Sequence, residues 1–162
     1  MKLETNKIYQ GDSLDVLKTF PAESVDCVIT SPPYWALRDY GAENQLGLEP
    51  TFQEYIEKLC CIFDEVKRVL KKDGTCFVNM GDTYSGNKEG KTDNLVSKYL
   101  KNETSRLHKK ATITEKCLCQ IPSRFAIAMT DRGWILRNKI IWHKPNAMPS
   151  SVTDRFSVDF EV

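Results

Sequence analysis

Apolar residues recur at spacings of four and three along Phe52, Ile56, Leu59, Phe63, Val66 and Leu70, which predicts an amphipathic helix with one face turned to a core. Thr51 and Glu54 stand where a capping box would start it. Lys71, Lys72, Asp73 and Gly74 stand where cations and a left-handed glycine would close it, with the strand TCFVNM directly afterwards. A shorter helix is predicted after Gly11, with Asp12 or Ser13 as N-cap, Leu14, Leu17 and Phe20 as its apolar stripe, and Pro21 as its stop. A third helix is expected from Pro122 to Arg132, with Ile121, Phe125, Ala128 and Met129 inward and Gly133 at its end. The run VDCVIT, Val25 to Thr30, is nearly continuous in apolar and β-branched residues, as suits a strand covered on both faces of a parallel sheet. KIYQ at 7–10 and ILRNKIIWHK at 135–144 also read as strands. Strands alternating with helices through short turns predict an α/β layered fold with a mainly parallel sheet.

The segment 87–116 breaks this rhythm. It has no sustained apolar period and carries eight Lys or Arg against four Asp or Glu, so it reads as a basic, flexible insertion. It is either a solvated surface or a contact for a nucleic-acid backbone, with Lys109 and Lys110 as the candidate contacts. Over the whole chain the charges nearly cancel: 23 basic and 22 acidic residues give a net charge of +1, so any polyanion-binding surface must be local. At 162 residues and 41% hydrophobic, the chain suits one core, and a single domain over residues 1–162 is expected. No apolar run has signal-peptide or membrane-span length, and a cytoplasmic location is expected. Six cysteines are expected as buried, reduced thiols, because Cys27 and Cys76 sit in strand-like runs and Cys60 and Cys61 in a helical pattern. Cys117 and Cys119 lack the spacing of a zinc clip, and no metal is expected.

In open α/β sheets ligands bind beyond the carboxyl ends of the strands. Three such ends here are chemically distinctive: Gly11-Asp12-Ser13, the run from Thr30 to Trp35, and the run from Asn79 to Tyr84. The middle one is the most specific. Pro32 and Pro33 lock φ and hold their neighbours extended, so they can aim oxygen acceptors rigidly. The Ser31 hydroxyl and the Pro32 carbonyl are the candidate acceptors. Such a pair suits an exocyclic amine, whose lone pair is delocalised into its ring and which must become pyramidal to attack. Tyr34 offers a face on which a flipped base could stack, worth about 1–3 kcal/mol, and Trp35 could line or gate the pocket. Asp82 either orders a pocket loop near substrate or forms an ordinary turn. Trp142 is either core or site, and Lys144 and Asn146 have polar heads suited to a phosphate or base edge.

The string TSPPYW after a buried strand resembles the catalytic motif of the amino-group DNA methyltransferases, in which Asp, Asn or Ser precedes Pro-Pro and an aromatic. GDSLDVL, GTCFVNMGDTYS and GWILRNKIIWHKPNAMPSS resemble further segments of the circularly permuted members, and together these cover most of the chain outside the basic segment. The resemblance implies a Rossmann-like S-adenosylmethionine-dependent methyltransferase fold, a mainly parallel sheet with helices on both faces, and double-stranded DNA as partner. It implies Ser31, Pro32, Pro33 and Tyr34 as catalytic residues and Asp12, Ser13, Thr30 and Ser31 at the cofactor, although Asp12 is equally explained as a helix cap. Serine at the head of the motif is most familiar in the class that methylates N4 of cytosine, aspartate in the class that methylates N6 of adenine. A class that methylates glutamine amides typically carries Asn there, which Ser31 disfavours.

The chain departs from the family in lacking the Phe-x-Gly-x-Gly loop that receives the methionine end of the cofactor; none of its eight glycines is spaced G-x-G. An incomplete sheet and a half-present cofactor site are therefore expected, as in a fragment, a truncated product or one half of a split enzyme, with a second polypeptide or second copy completing the site. The alternative is a non-catalytic DNA-binding or assembly module. Replacing Lys109 and Lys110 by alanine is expected to weaken DNA binding across sequences and to flatten its salt dependence, by about 1 in slope for each phosphate no longer neutralised. An unchanged slope in a salt titration would return the segment to a solvated surface.

Overall fold

The computed structural model describes residues 3–85, 112–147 and 153–162. Lys109 and Lys110 lie outside them. The elements are α1 (Ser13–Thr19), β1 (Val25–Thr30), α2 (Phe52–Val69), β2 (Leu70–Val78), α3 (Ile121–Asp131), β3 (Trp142–His143) and β4 (Phe160–Glu161).

α2 forms as its periodicity dictates, and Thr51 Oγ1 accepts the Glu54 N–H at 3.2 Å to start it. Its buried face adds Tyr55, Cys60 and Val69 to the predicted stripe. Its end differs from expectation. The helix stops at Val69, Leu70 is already extended, and β2 begins there, paired with Val25. The register then jumps to Cys27 opposite Thr75, so Lys71–Gly74 is a bulge inside the strand rather than a helix cap. Gly74 is not left-handed. A side-chain carbon there would stand 3.0 Å from Leu70 Cδ2 and from the Lys71 carbonyl oxygen, and 3.1 Å from that of Asp26. The glycine is favoured by close backbone approach.

β1 and β2 run parallel, and Ile29 opposite Phe77 and Thr30 opposite Val78 bring their carboxyl ends side by side. Val28, Cys76 and Val78 turn towards the core built on α2 and α3. The other face is open, with Ile29 79% and Phe77 48% exposed, so the expected burial of VDCVIT on both faces is not met. Among the described residues β1 pairs along one edge only.

α3 packs on α2 through Ile121, Phe125 and Met129, with the Phe63 and Phe125 rings edge to face at 5.2 Å. Arg132 bridges to Glu57 and Asp64 of α2, and Gly133 takes the left-handed conformation at φ +80°. α1 is capped by Asp12, whose Oδ1 accepts the N–H groups of Leu14 and Asp15. Arg68 of α2 holds its other end by donating to the carbonyls of Leu17 and Phe20.

Two predicted strands do not form as such. Residues 7–10 pair with nothing among the described residues, and of 135–144 only Trp142–His143 enters a ladder, antiparallel to β4. An apolar run favours extended backbone, but a strand also needs a neighbour in register. All six cysteines are free thiols, yet Cys27, Cys61 and Cys117 are exposed: Cys27 lies on the open side of the sheet, and Cys61 is turned off the α2 stripe that buries Cys60. No described helix is long and apolar enough to cross a membrane, and no cluster of metal-ligating side chains occurs among the described residues.

Because the strand bulge is tight, Gly74→Ala is expected to destabilise the fold by about 1–3 kcal/mol through overpacking. Urea denaturation measures this; unchanged stability would mean that the bulge opens freely.

Candidate active site

β1 delivers its last residue, Thr30, beside the end of β2, and the Thr30 carbonyl accepts the Asn79 N–H at 2.9 Å. The chain then enters Ser31-Pro32-Pro33-Tyr34 and turns back sharply, with Ala36 left-handed at φ 57°. Tyr55 of α2 donates its hydroxyl to the Pro33 carbonyl at 2.9 Å. No donor among the described residues reaches the Pro32 carbonyl.

Tyr34 is the junction. Its ring lies against Gly81, where a side-chain carbon would stand 2.7 Å from both Cδ2 and Cε2. Its hydroxyl accepts from Ser31 Oγ at 3.3 Å and from Asn79 Nδ2 at 2.9 Å, and donates to Glu161 Oε2 at 3.0 Å. Asn79 Nδ2 also donates to Glu161 at 2.8 Å, and Lys144 pairs with the other carboxylate oxygen. Burial, reinforced by the charge of Glu161 and only partly offset by Ser31, raises the Tyr34 pKa, so the phenol keeps its proton and donates it. For Glu161 burial pushes upward, but Lys144, Asn79 and Tyr34 together outweigh it and hold the carboxyl below its usual range. It is a carboxylate at neutral pH.

These groups border a cleft of 310 Å³, at the lower end of the roughly 300–1,000 Å³ of small-molecule sites. Ser31, Pro32, Pro33 and Tyr34 line it, with Glu161 beside them. Leu37, Arg38 and Tyr40, on the loop that follows, form the remaining wall.

Other expected residues stand elsewhere. Trp35 neither lines nor gates the cleft: it is 4% exposed, packs edge to face on Phe52, and donates its indole N–H to the Glu49 carbonyl at 3.0 Å. The turn after Tyr34 throws it into the core. Trp142 is exposed on β3, which excludes the core reading. Lys144 points to Glu161, not outward to a phosphate, and Asn146 is exposed in the turn after β3. Asp82 orders a loop: its Oδ1 accepts the N–H groups of Thr83 at 2.8 Å and Ile121 at 3.0 Å, tying the end of β2 to the start of α3. Burial raises its pKa against those backbone donors. Asp12 and Ser13 open α1, and neither lines the cleft.

Sequence reasoning left Asn79 and Gly81 without a role and missed Glu161 and Tyr55. Gly81 had a readable signal, a glycine directly after a strand end facing an aromatic motif. Glu161 had none.

A family model described as DNA methylase matches residues 25–162. The Type II methyltransferase M.XycI of Xanthomonas campestris pv. cyanopsidis is 46% identical over 94% of this chain and 51% of its own length. The Type II methyltransferase M.Cfr9I of Citrobacter freundii is 43% identical over 96% of this chain and 52% of its own. This chain thus spans about half the length of these relatives. Among solved structures, the PvuII DNA methyltransferase (cytosine-N4-specific) superposes with a TM-score of 0.64 at 25% identity, over 94% of this chain and 45% of that one. A putative DNA modification methylase of Thermus thermophilus, complexed with S-adenosyl-L-methionine, superposes at 0.59 and 22% identity, over 93% and 50%. The fold is that of these Rossmann-like methyltransferases.

The lowered Glu161 pKa fixes the sign of a pH effect. Its stabilising contribution is complete above the ordinary glutamate value of 4.5 and fades as pH falls through the lower folded value. Denaturation curves between about pH 3 and 6 should therefore lose this acid-limb component in Glu161→Gln. An unchanged acid limb would mean that the carboxylate is not held by these partners.

Proposed function

This chain belongs to the N6/N4 DNA methylase family, and on that premise we propose that its cleft receives a flipped DNA base and positions the exocyclic amine for methylation, with N4 of cytosine as the target. The reading rests on one observation: on the wall built by Ser31–Tyr34 and Glu161 the donors are already engaged, while Arg38 and Tyr40 line the cleft from the loop that follows. Tyr34 gives its proton to Glu161, Asn79 gives its amide to Tyr34 and Glu161, and Lys144 is paired. The lining residues that carry acceptor oxygens are Ser31, Pro32 and Glu161, and no donor among the described residues reaches the Pro32 carbonyl. An amine donor suits that wall. A base presenting a carbonyl at the same place would meet like partial charge.

Pro32 and Pro33 keep the acceptors still, which matters because two acceptors on the two N–H bonds favour the pyramidal nitrogen of the transition state over the flat one of the ground state. Tyr34, pressed on Gly81, supplies a face for the base, and stacking worth about 1–3 kcal/mol offsets much of the unstacking cost. S-adenosylmethionine, when bound, supplies an electrophilic methyl on a sulfonium that leaves as a neutral thioether. The residues that would hold it are Asp12, Ser13, Thr30 and Ser31. Asp12 fits this use, since it is exposed and only its Oδ1 is engaged by the helix cap. The methionine end has no G-x-G segment to receive it within these 162 residues, so we read it as held by groups from beyond them. Double-stranded DNA is the partner this reading requires. Serine at the head of the motif is the reason for placing cytosine ahead of adenine.

Expression of the chain together with the groups that complete its cofactor site, in a host free of DNA methylation, followed by sequencing of modified bases, tests the proposal. N4-methylcytosine is expected, with Ser31→Ala lowering kcat on the order of 10²-fold by removing one preorganised partner. Tyr34→Ala is expected to cost about 1–3 kcal/mol in kcat/KM through lost stacking, and Tyr34→Phe less. N6-methyladenine would overturn the choice of base, and unmodified DNA would overturn the enzymatic reading.

A further inference from the structure

Behind the cleft lies a charge that nothing in the sequence singles out. Glu49 is 2% exposed and its side chain lies wholly out of solvent. Removing a carboxylate from water is costly unless hydrogen bonds and an opposite charge compensate, so what it holds matters. Its Oε2 accepts the Gly47 N–H at 2.9 Å. Lys58 Nζ stands 3.3 Å from Oε1, near enough to pair but not aligned as a hydrogen bond.

Gly47 in turn presses on the proline corner. It is left-handed at φ +94°, and a side-chain carbon there would stand 2.8 Å from the Tyr34 carbonyl oxygen and 3.3 Å from that of Pro33. Its own carbonyl accepts the Ala36 N–H at 2.8 Å, closing the turn that follows Tyr34. Tyr55 donates to the Pro33 carbonyl as well. The backbone of the corner is thus held by both Gly47 and Tyr55, and the Glu49 carboxylate accepts the Gly47 N–H.

We propose that Glu49 is a positioning residue for the Ser31–Tyr34 corner, acting through the Gly47 N–H without touching substrate. This rests on the reading of the cleft as a base site. The role is one of reach more than charge: what the corner needs is an acceptor oxygen at the Gly47 N–H. Gln keeps that reach without the charge, whereas Asp keeps the charge and withdraws the oxygen by one methylene.

The test is steady-state methylation of DNA by the intact protein, expressed per folded molecule as measured by circular dichroism. Glu49→Ala and Glu49→Asp are expected to lower kcat on the order of 10- to 100-fold, because small misplacement of reacting groups is costly, while KM for S-adenosylmethionine changes by less than about twofold. Glu49→Gln is expected to stay within about threefold of the parent in kcat. If Glu49→Ala yields no folded protein, the Asp and Gln variants carry the comparison. Equal kcat per folded molecule in every variant would reduce Glu49 to a stability role and overturn the proposal. Asp active with Gln impaired would do the same, by showing that the charge acts. An inactive parent protein would instead remove the base-site reading on which the proposal stands.

Discussion

The Tyr34 hydroxyl is the interaction on which the site depends. It joins the proline corner, the residue just beyond the second strand and the β3–β4 ladder through Ser31, Asn79 and Glu161. Tyr34 and Glu161 are 127 positions apart in the chain. They meet because parallel pairing sends β1 and β2 out along the same edge, where Val162 exchanges backbone hydrogen bonds with Met80. Hydrogen bonds to a charged partner contribute about 1.5–3 kcal/mol each, so the Glu161 carboxylate gives the junction its strength. Gly81 gives it room, since any side chain there would displace the ring.

Electrostatics follows from the same junction. Lys144 and the two neutral donors keep Glu161 ionised despite its partial burial, and in doing so they exhaust themselves as donors to a ligand. The wall of Ser31–Tyr34 and Glu161 is left with its donors engaged, and Arg38 and Tyr40 line the cleft from the loop that follows the corner. Asp82 works at a distance from this wall, closing the start of α3 where Gln120 offers no side-chain cap of its own.

Much of the local structure was legible from residue order alone. The α2 stripe, its Thr51 cap, the Asp12 cap, the α3 face and the stiff Ser31–Tyr34 corner all depend on neighbours within about one helical turn or on proline's own ring. The tertiary structure decided the rest. Trp35 is core because a left-handed Ala36 turns the chain beneath it, Gly74 is favoured by backbone contact with a distant strand, and residues 7–10 and most of 135–144 lack the neighbour a strand requires. Glu161, Asn79 and Glu49 acquire their roles only from partners brought close by folding, so no spacing or periodicity marks them. Local chemistry is written in short-range pattern, whereas a site assembled from three separate chain segments exists only once the backbone has brought them together.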